Sequence, residues 1–185
     1  MLISENKFLV IGGGPAGIQA ALTLHRWGLS VCVLSRPLPD CPMAQIPIFD
    51  ENQRPFVDIA RANIKEFREK NIQNLIVNVT TVSENDKEPG FIVEYPNSII
   101  KASHVIIATG TPKREDVIDF TGCPELTFDR ENRIIIDDNY SSEQHQLYAI
   151  GEAASGYVRT LSCALGTGDG LARMLARTQH HNKPA

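Results

Sequence analysis

The chain of 185 residues has the length of a single domain, with 42% hydrophobic residues, 22% charged residues and a net charge of −4. This composition is typical of a globular protein with a sizeable core, and its acidic balance argues against a nucleic-acid partner. No apolar run reaches membrane-spanning length, and Gly12 to Gly14 interrupt the first run, so we expect no membrane segment, no leader and a cytoplasmic location.

The N-terminal part of the chain predicts a βαβ unit. Residues 7–11 form a short apolar run that ends at three glycines, and residues 15–27 carry apolar residues at helical spacing. Gly28 ends this helix, and residues 29–34 form a second β-rich run. The unit has about the ~30 residues that strand, helix and strand require.

The rest of the chain predicts one helix, a small β-meander and a final helix. Prolines at 37, 39, 42 and 47 indicate an irregular loop before the helix. Turn residues at 85–90 and 96–97 separate the strands of the meander. The predicted elements are a helix at 56–70, strands at 75–79, 79–82, 91–95, 98–101, 104–108, 133–136 and 146–150, and a helix at 160–178, followed by a frayed tail.

The spacing of Gly12, Gly14 and Gly17 is G-x-G-x-x-G between a predicted strand and a predicted helix. Gly12 permits a tight turn, Gly14 lets the backbone approach a pyrophosphate, and Gly17 lets helix and strand pack closely. The N-terminus of the helix offers free N–H groups to an anion. This context favours a dinucleotide site over a glycine-rich turn without a ligand, but it does not say which dinucleotide binds.

Three segments in order resemble the FAD domain of thioredoxin reductase-like flavoproteins, in the pyridine nucleotide-disulfide oxidoreductase family. They are VIGGGPAGIQAALTLHRWGLSVCVL near the N-terminus, HVIIATGTPKR from position 104, and NRIIIDDNYSSEQHQLYAIGEAASG from position 132. The resemblance covers nearly the whole chain. It implies an α/β fold of three layers, a Rossmann-like FAD/NAD(P)-binding domain with a parallel sheet, helices on one face and the meander on the other.

The same resemblance shows what the chain lacks. The family inserts a second βαβ domain for NADPH, carrying a redox-active C-x-x-C, between the Ala-Thr-Gly segment and the final strands. Only residues 115–124 occupy that interval here, too few for a βαβ unit of ~30 residues or more. We therefore expect one FAD-binding domain over residues 1–179 and a tail over 180–185, with no NADPH half and no redox dithiol.

Two residues depart from the family pattern. Ser35 stands where the family usually has a Glu that accepts from the adenosine ribose, and a hydroxyl accepts more weakly than a carboxylate. Arg36 could stack on adenine, meet a phosphate such as the 2′-phosphate of NADP, or lie on the surface. Glu152 replaces the usual Asp near the ribityl chain, and its extra methylene shifts the carboxylate by about 1.5 Å.

Other site assignments follow from the resemblance alone. It implies that Thr109, Gly110 and Thr111 bring backbone close to the cofactor, and that Val79 holds adenine through its backbone. It also implies that Arg159 and Thr160 direct a helix N-terminus toward the flavin. The alternatives are a strand-ending turn, a core valine and routine helix capping. The full predicted cofactor set is Gly12, Gly14, Pro15, Ala16, Gly17, Ser35, Arg36, Val79, Thr109, Gly110, Gly151, Glu152, Arg159 and Thr160.

The cysteines and histidines add no clear chemistry. The four cysteines, at 32, 41, 123 and 163, form neither C-x-x-C nor a metal-ligand spacing, so we predict no disulfide framework and no metal site. Cys41 lies in the proline-rich loop and Cys163 in the first helical turn, where the dipole could lower its pKa, but an isolated cysteine is commonly a small buried hydrophobe. His104 is expected to be structural, and His180 and His181 to lie in the tail.

Three functions remain compatible with the sequence. The first is a minimal FAD flavoprotein oxidoreductase that takes electrons from an external donor or partner protein. The second is an NADP-binding module, motivated by Ser35 and Arg36, and the third is a ligandless relic that serves as an interaction domain. Without the second domain, the open side of the flavin would need cover, for which we expect a redox partner or a homodimer.

Overall fold

A computed structural model describes residues 3–37, 54–110, 118–158 and 160–181 of the chain. Its helices and strands alternate first and then give way to a meander, as the sequence predicts. The elements are β1 (Ile3–Ile11), α1 (Pro15–Arg26), β2 (Val31–Ser35), α2 (Arg54–Glu69), β3 (Gln73–Ile76), β4 (Thr81–Glu84), β5 (Phe91–Tyr95), β6 (Ser98–Ile107), β7 (Leu147–Ala149) and α3 (Leu161–His181).

One sheet joins all seven strands, in the order β3-β2-β1-β6-β5-β4, with β7 also pairing with β6. Strands β1, β2, β3, β6 and β7 run parallel to their neighbours in this group, whereas β4, β5 and the first half of β6 form the antiparallel meander. Strand β6 pairs with β5 through residues 98–102 and with β7 through residues 105–107. The meander therefore branches from the parallel sheet where β6 changes its partner.

The two faces of the parallel sheet alternate along each strand, as a sheet buried on both sides requires. Phe8, Val10 and Val33 pack against the helices, together with Ile18 and Leu22 of α1. Leu9, Ile11 and Leu34 pack instead against the meander, together with Val82 and Val93. These two cores confirm the predicted layers, with helices on one face of the sheet and the meander on the other.

Several predicted boundaries are wrong for local physical reasons. The predicted strands 98–101 and 104–108 are one strand, β6, because Ala102 is buried and the sequence between them contains no turn. The strands predicted at 75–79 and 79–82 lie at Gln73–Ile76 and Thr81–Glu84. The strand predicted from Gln146 begins one residue later, because Gln146 has a φ of 64°.

Residues 133–136 do not form the predicted strand. Ile134 makes only isolated bridges, to Phe128 and to Ala154. Aspartates on either side favour turns over extended pairing: Asp129 accepts from the N–H of Arg133 at 2.9 Å, and Asp137 accepts from the N–H of Ser141 at 2.9 Å. The last helix continues to His181, beyond its predicted end at Thr178.

Candidate functional site

The carboxyl ends of the parallel strands meet at one edge of the sheet, and the three sequence segments converge there. The N–H of Gly12 donates to the carbonyl of Leu34 at 2.8 Å, and the N–H of Ala108 donates to the carbonyl of Ile11 at 2.8 Å. The N–H of Ile150 donates to the carbonyl of Ile107 at 3.0 Å. In open α/β sheets this edge is where ligands bind.

Positions 12 and 17 must be glycine because the backbone around them leaves no room for a Cβ. Gly12 has a φ of +120°, and a Cβ there would lie 2.3 Å from the carbonyl oxygen of Ala108. A Cβ on Gly17 would lie 2.0 Å from the carbonyl oxygen of Gly12. Any side chain at either position would collide with backbone, so both glycines allow β1, β6 and α1 to approach closely.

Gly14 differs from both, because the surrounding protein does not require it to be a glycine. It is the N-cap residue of α1, with φ −76° and ψ 179°, an extended backbone conformation that any residue can adopt. Among the described residues, a Cβ at this position would meet no heavy atom within 4 Å. The first turn of an α-helix leaves N–H groups without partners inside the helix, and an anion beside the N-terminus of α1 could accept from them.

Pro15 and Ala16 open the helix that faces this space. Pro15 occupies the first turn, where its missing N–H costs no hydrogen bond. Ala16 is buried between the neighbouring elements: a Cβ on Gly151 would lie 3.1 Å from its Cβ, and a Cβ on Gly168 would lie 2.4 Å from its carbonyl oxygen. Small residues at 16, 151 and 168 therefore bring the final segment and α3 against the start of α1.

Gly151 and Glu152 lie in a short 3-10 turn directly after β7. Gly151 has a φ of +63°, and its N–H donates to the hydroxyl of Thr167 at 3.1 Å. Glu152 is half-buried in the same turn. The turn thus places Glu152 at the edge where the glycine-rich turn lies.

The residues predicted for the adenosine half lie at the ends of β2 and β3. Ser35 is buried, and its hydroxyl donates to Oδ1 of Asn74 at 3.3 Å. Arg36 follows it on the surface. Val79 is buried and belongs to the core on the meander side of the sheet. This position agrees with the alternative that Val79 is a core valine.

Thr109 and Gly110 follow the buried end of β6. Thr109 is exposed, Gly110 has a φ of +72°, and the hydroxyl of Thr109 donates to the carbonyl of Gly110 at 3.5 Å. Their backbone is consequently at the surface beside the glycine-rich turn. Arg159 and Thr111 lie outside the described residues.

Thr160 caps the last helix. Its hydroxyl accepts from the N–H of Cys163 at 3.2 Å and lies 3.1 Å from the hydroxyl of Ser162. This is the geometry of an N-cap residue that satisfies a free donor of the first turn. Thr160 therefore caps the helix, as the alternative to a flavin-directed role predicts.

The described cysteines are protonated at neutral pH. Burial raises the pKa of Cys163 above its ordinary value, although a backbone hydrogen bond at Val158 opposes the shift. Cys163 is thus a partly buried thiol with a raised pKa, closer to the favoured alternative of a small hydrophobe than to a thiol activated by the helix dipole. Burial also raises the pKa of Cys32 to about 12 and that of Cys123 to about 11, whereas Cys41 lies outside the described residues.

The histidines take structural positions. His104 is buried and stacks on Phe8 with ring centroids 4.7 Å apart. His180 and His181 belong to the last turn of α3 instead of the predicted tail. Within the described residues, no three side chains of the metal-binding types come together.

Three residues at this edge escaped the sequence analysis. Ala108 closes against Gly12, Thr167 holds the Gly151 turn, and Asn74 accepts from Ser35. Each of these residues acts through a contact with a residue distant in sequence. The Thr-Gly pair at 167 and 168 is the one local signal among them, since small residues in a helix can indicate close packing. No local pattern marks Ala108 or Asn74.

These features define a Rossmann-like nucleotide-binding domain. Residues 6–123 and 58–168 match the family described as pyridine nucleotide-disulphide oxidoreductase, and the chain belongs to this family. Comparison with curated protein sequences gave no match. Family and fold together support a flavoprotein oxidoreductase domain.

Solved structures with the same fold include thioredoxin reductases. The enzyme from T. acidophilum aligns with a TM-score of 0.76 at 15% identity, over 95% of this chain and 99% of that chain. The enzyme from Streptococcus pyogenes aligns with a TM-score of 0.72 at 16% identity, over 96% and 99%. A ferredoxin-flavin thioredoxin reductase from Clostridium acetobutylicum aligns with a TM-score of 0.75 at 13% identity, over 95% and 97%.

The inserted domain of the family is absent from this chain. Between β6 and β7, the described residues 108–110 and 118–146 form only turns and isolated bridges. Residues 119 and 122 pair with the edge strand β4 instead, through N–H groups of Val82 and Glu84. Across the described segments, no helix is long and apolar enough to cross a membrane.

Proposed function

We propose that this chain binds FAD along the carboxyl edge of its parallel sheet and works as a minimal flavoprotein oxidoreductase. The observation that carries the proposal is Gly14, where a Cβ would meet no atom of the described segments within 4 Å and where the backbone conformation tolerates any residue. A glycine that the protein does not require is explained by close approach of a ligand. The anion expected beside a helix N-terminus is the pyrophosphate of a dinucleotide.

The remaining residues would surround the cofactor in chain order. Gly12, Pro15, Ala16 and Gly17 form the turn and helix start at the pyrophosphate. The adenosine half would meet Ser35, Arg36 and Val79, and the riboflavin half would meet Thr109, Gly110, Gly151, Glu152, Arg159 and Thr160. When bound, FAD supplies the electron-carrying group that none of the described side chains provides.

The Glu152 carboxylate would accept a hydrogen bond from a ribityl hydroxyl. Its place in the turn is fixed by the N–H of Gly151 on Thr167 and by the close contact of Gly151 with Ala16. The same contact brings the Gly151 turn next to the start of α1, so one bound ligand could meet both the glycine-rich turn and Glu152.

The electron donor would be external to this domain. NADPH has no domain of its own here, and one solved relative of the same fold is called a ferredoxin-flavin thioredoxin reductase. We therefore propose a protein donor, with a ferredoxin as the first candidate to test. The donor, a redox partner or a second copy would also cover the side of the flavin left open.

Two alternatives have specific support. An NADP-binding module is favoured by Arg36, which lies on the surface beside Ser35 and could meet a 2′-phosphate. A ligandless interaction domain is favoured by the two departures at Ser35 and Glu152. Neither alternative accounts for the convergence of the glycine-rich turn, the 109–110 turn and the Gly151 turn at one edge.

The deciding experiment is cofactor analysis of the purified chain. We expect a yellow protein that releases FAD, and not FMN, on heat denaturation. Because the contacts at Ser35 and Glu152 are weakened, protein that lost cofactor must be reconstituted with added FAD, and binding should raise Tm. A colourless protein that excess FAD neither binds nor stabilises would leave the interaction domain as the better proposal.

A Gly14→Val variant links this result to the site. A Cβ at position 14 would meet no atom of the described residues, so we expect the apoprotein to fold, with a Tm slightly below wild type because valine is a poorer N-cap than glycine, and to bind no FAD. Stoichiometric FAD in a folded Gly14→Val protein would show that the glycine-rich turn is not the phosphate site. Light scattering should meanwhile detect a dimer or a co-purifying partner.

A further inference from the structure

Ser35 and Asn74 form a polar pair at the proposed adenosine end of the site. Ser35 is the last residue of β2, and its hydroxyl donates to Oδ1 of Asn74 on β3 at 3.3 Å. Both side chains lie on the helix face of the sheet, because Leu34 and Leu75, their sequence neighbours, pack toward the meander. Ser35 is only 4% exposed, so few other groups can take its proton.

This hydrogen bond fixes what Ser35 can offer to a ligand. A serine hydroxyl has one proton and two lone pairs, and it normally rotates to donate or accept as a partner requires. The distance of 3.3 Å is long for an O–H···O hydrogen bond, but Oδ1 of Asn74 can only accept, so a hydroxyl proton shared with Asn74 leaves its lone pairs for a ligand. Ser35 thus resembles the carboxylate that accepts from ribose hydroxyls in related folds, but it carries no charge.

We propose that Asn74 is a positioning residue that turns Ser35 into an acceptor and so selects a free ribose hydroxyl over a 2′-phosphate. A ribose hydroxyl can donate to the Ser35 lone pair. An ionised 2′-phosphate has only acceptor oxygens toward it, so lone pair would face lone pair. This inference rests on the proposed function, since it requires the adenosine to lie at the end of β2.

The identity of residue 74 then decides the preference. Asn74 lies level with Val33 in the β2–β3 register, so it approaches Ser35 from within the sheet and not from the ligand side. Without its carbonyl oxygen, the hydroxyl of Ser35 could rotate and donate to a phosphate. Asn74 thus acts on the nucleotide through Ser35.

The test compares two probes that differ only in the 2′-phosphate. AMP and adenosine 2′,5′-bisphosphate are titrated against FAD-loaded protein, and displaced FAD is followed by its fluorescence. Wild type should bind AMP about 3- to 10-fold more tightly than the bisphosphate, the range expected for one hydrogen bond. Asn74→Leu should bring this ratio to about 1, whereas Gln73→Leu, on the opposite face of the same strand, should leave it unchanged.

A double-mutant cycle separates positioning from general damage. If Asn74 acts through Ser35, Asn74→Leu should have no further effect on the ratio in a Ser35→Ala background. Melting temperatures of all variants report folding independently of the ratio. A lower Tm with an unchanged ratio would mean that the pair only stabilises the sheet, and would overturn the inference.

The two proposals fail in different ways. Wild type that binds FAD but prefers the bisphosphate, or whose ratio is the same in Asn74→Leu, overturns the role of Asn74 and leaves the FAD site standing. A preference for the bisphosphate would also mean that the Ser35 proton points to the ligand. Wild type that binds no FAD after reconstitution overturns the proposed function itself.

Discussion

The three glycines of one motif serve different purposes at the scale of single residues. Gly12 and Gly17 prevent collisions within the protein, because a Cβ on either would lie 2.3 Å or 2.0 Å from a carbonyl oxygen. Gly14 leaves open space and is needed only if a ligand fills it. The spacing in the sequence does not distinguish these cases, since all three positions are small residues in a turn.

Gly17→Ala should therefore destabilise the fold, whereas Gly14→Ala should not. Alanine normally favours a helix over glycine by ~1 kcal/mol, but the clash of its Cβ with Gly12 outweighs this gain. We expect Gly17→Ala to lower the free energy of unfolding by about 3 kcal/mol, as measured by urea titration of the apoprotein. A loss below ~0.5 kcal/mol would show that the turn relaxes around the new side chain.

Glu152 provides a second test at a single residue. Glu152→Asp should tighten FAD by about 3- to 10-fold, because it restores the shorter carboxylate that the family usually places at the ribityl chain. Isothermal titration with reconstituted protein measures this change, and Glu125→Asp, at an exposed position, provides the control. Weaker binding by the aspartate variant would mean that the turn has already adjusted to glutamate.

At the scale of elements, α1 and α3 are joined by a partly buried polar network. Asp169 of α3 accepts from the hydroxyl of Thr23 at 2.9 Å, from the amide of Gln19 at 3.3 Å and from Arg173 at 2.6 Å. Asn63 of α2 donates to Gln19 at 2.6 Å. One carboxylate thus organises polar contacts among the three helices that support the glycine-rich turn.

Asp169 should make stability dependent on pH. Burial opposes its ionisation, but hydrogen bonds from Arg173 and Thr23 outweigh burial and lower its pKa below the ordinary value. A lowered folded-state pKa adds stability above the unfolded-state pKa of ~4, and this stability is lost as pH falls through the folded value.

Asp169→Ala should accordingly cost about 1–2 kcal/mol at pH 7, a figure reduced because the side chain is about one-third exposed. The difference from wild type should shrink as pH falls below ~4, when urea unfolding is compared at pH 7 and pH 3. Asp58→Ala, which breaks an exposed ion pair with Arg61 at 3.7 Å, is the matched control and should change little. A cost independent of pH would assign the effect to packing alone.

The sequence predicted those helices and strands that are determined by a short stretch of the chain. The βαβ unit follows from apolar periodicity and the three glycines, and the meander follows from turns at 85–90 and 96–97. Residues 133–136 look like a strand but lie between two aspartate turns, and they form no regular pairing. The contacts of Asn74, Thr167 and Ala108 depend on strand register and helix packing, which no short stretch of sequence encodes.

At the scale of the whole molecule, the fold brings the three segments to one edge of the sheet, and the chain lacks the domain inserted in the family. The three segments meet through hydrogen bonds from Gly12, Ala108 and Ile150 to neighbouring strands. The connection between β6 and β7 is hydrogen-bonded to the edge strand β4 through the carbonyl groups of residues 119 and 122. The omission therefore leaves a packed domain, and what changes is the route by which electrons can reach the cofactor.

This arrangement predicts which reductants act on the loaded protein. Dithionite needs no binding site and should bleach the flavin absorbance near 450 nm rapidly and fully. NADPH should reduce the flavin slowly, because nothing in the described domain corresponds to the missing half that would hold the nicotinamide against the flavin. Without such a site, the effective concentration of the nicotinamide at the flavin is low. Stopped-flow absorbance under anaerobic conditions compares the two, with a thioredoxin reductase that retains its NADPH domain as the positive control. Rapid stoichiometric reduction by NADPH would show that this single domain presents the nicotinamide itself, and the proposal of an external protein donor would then be wrong.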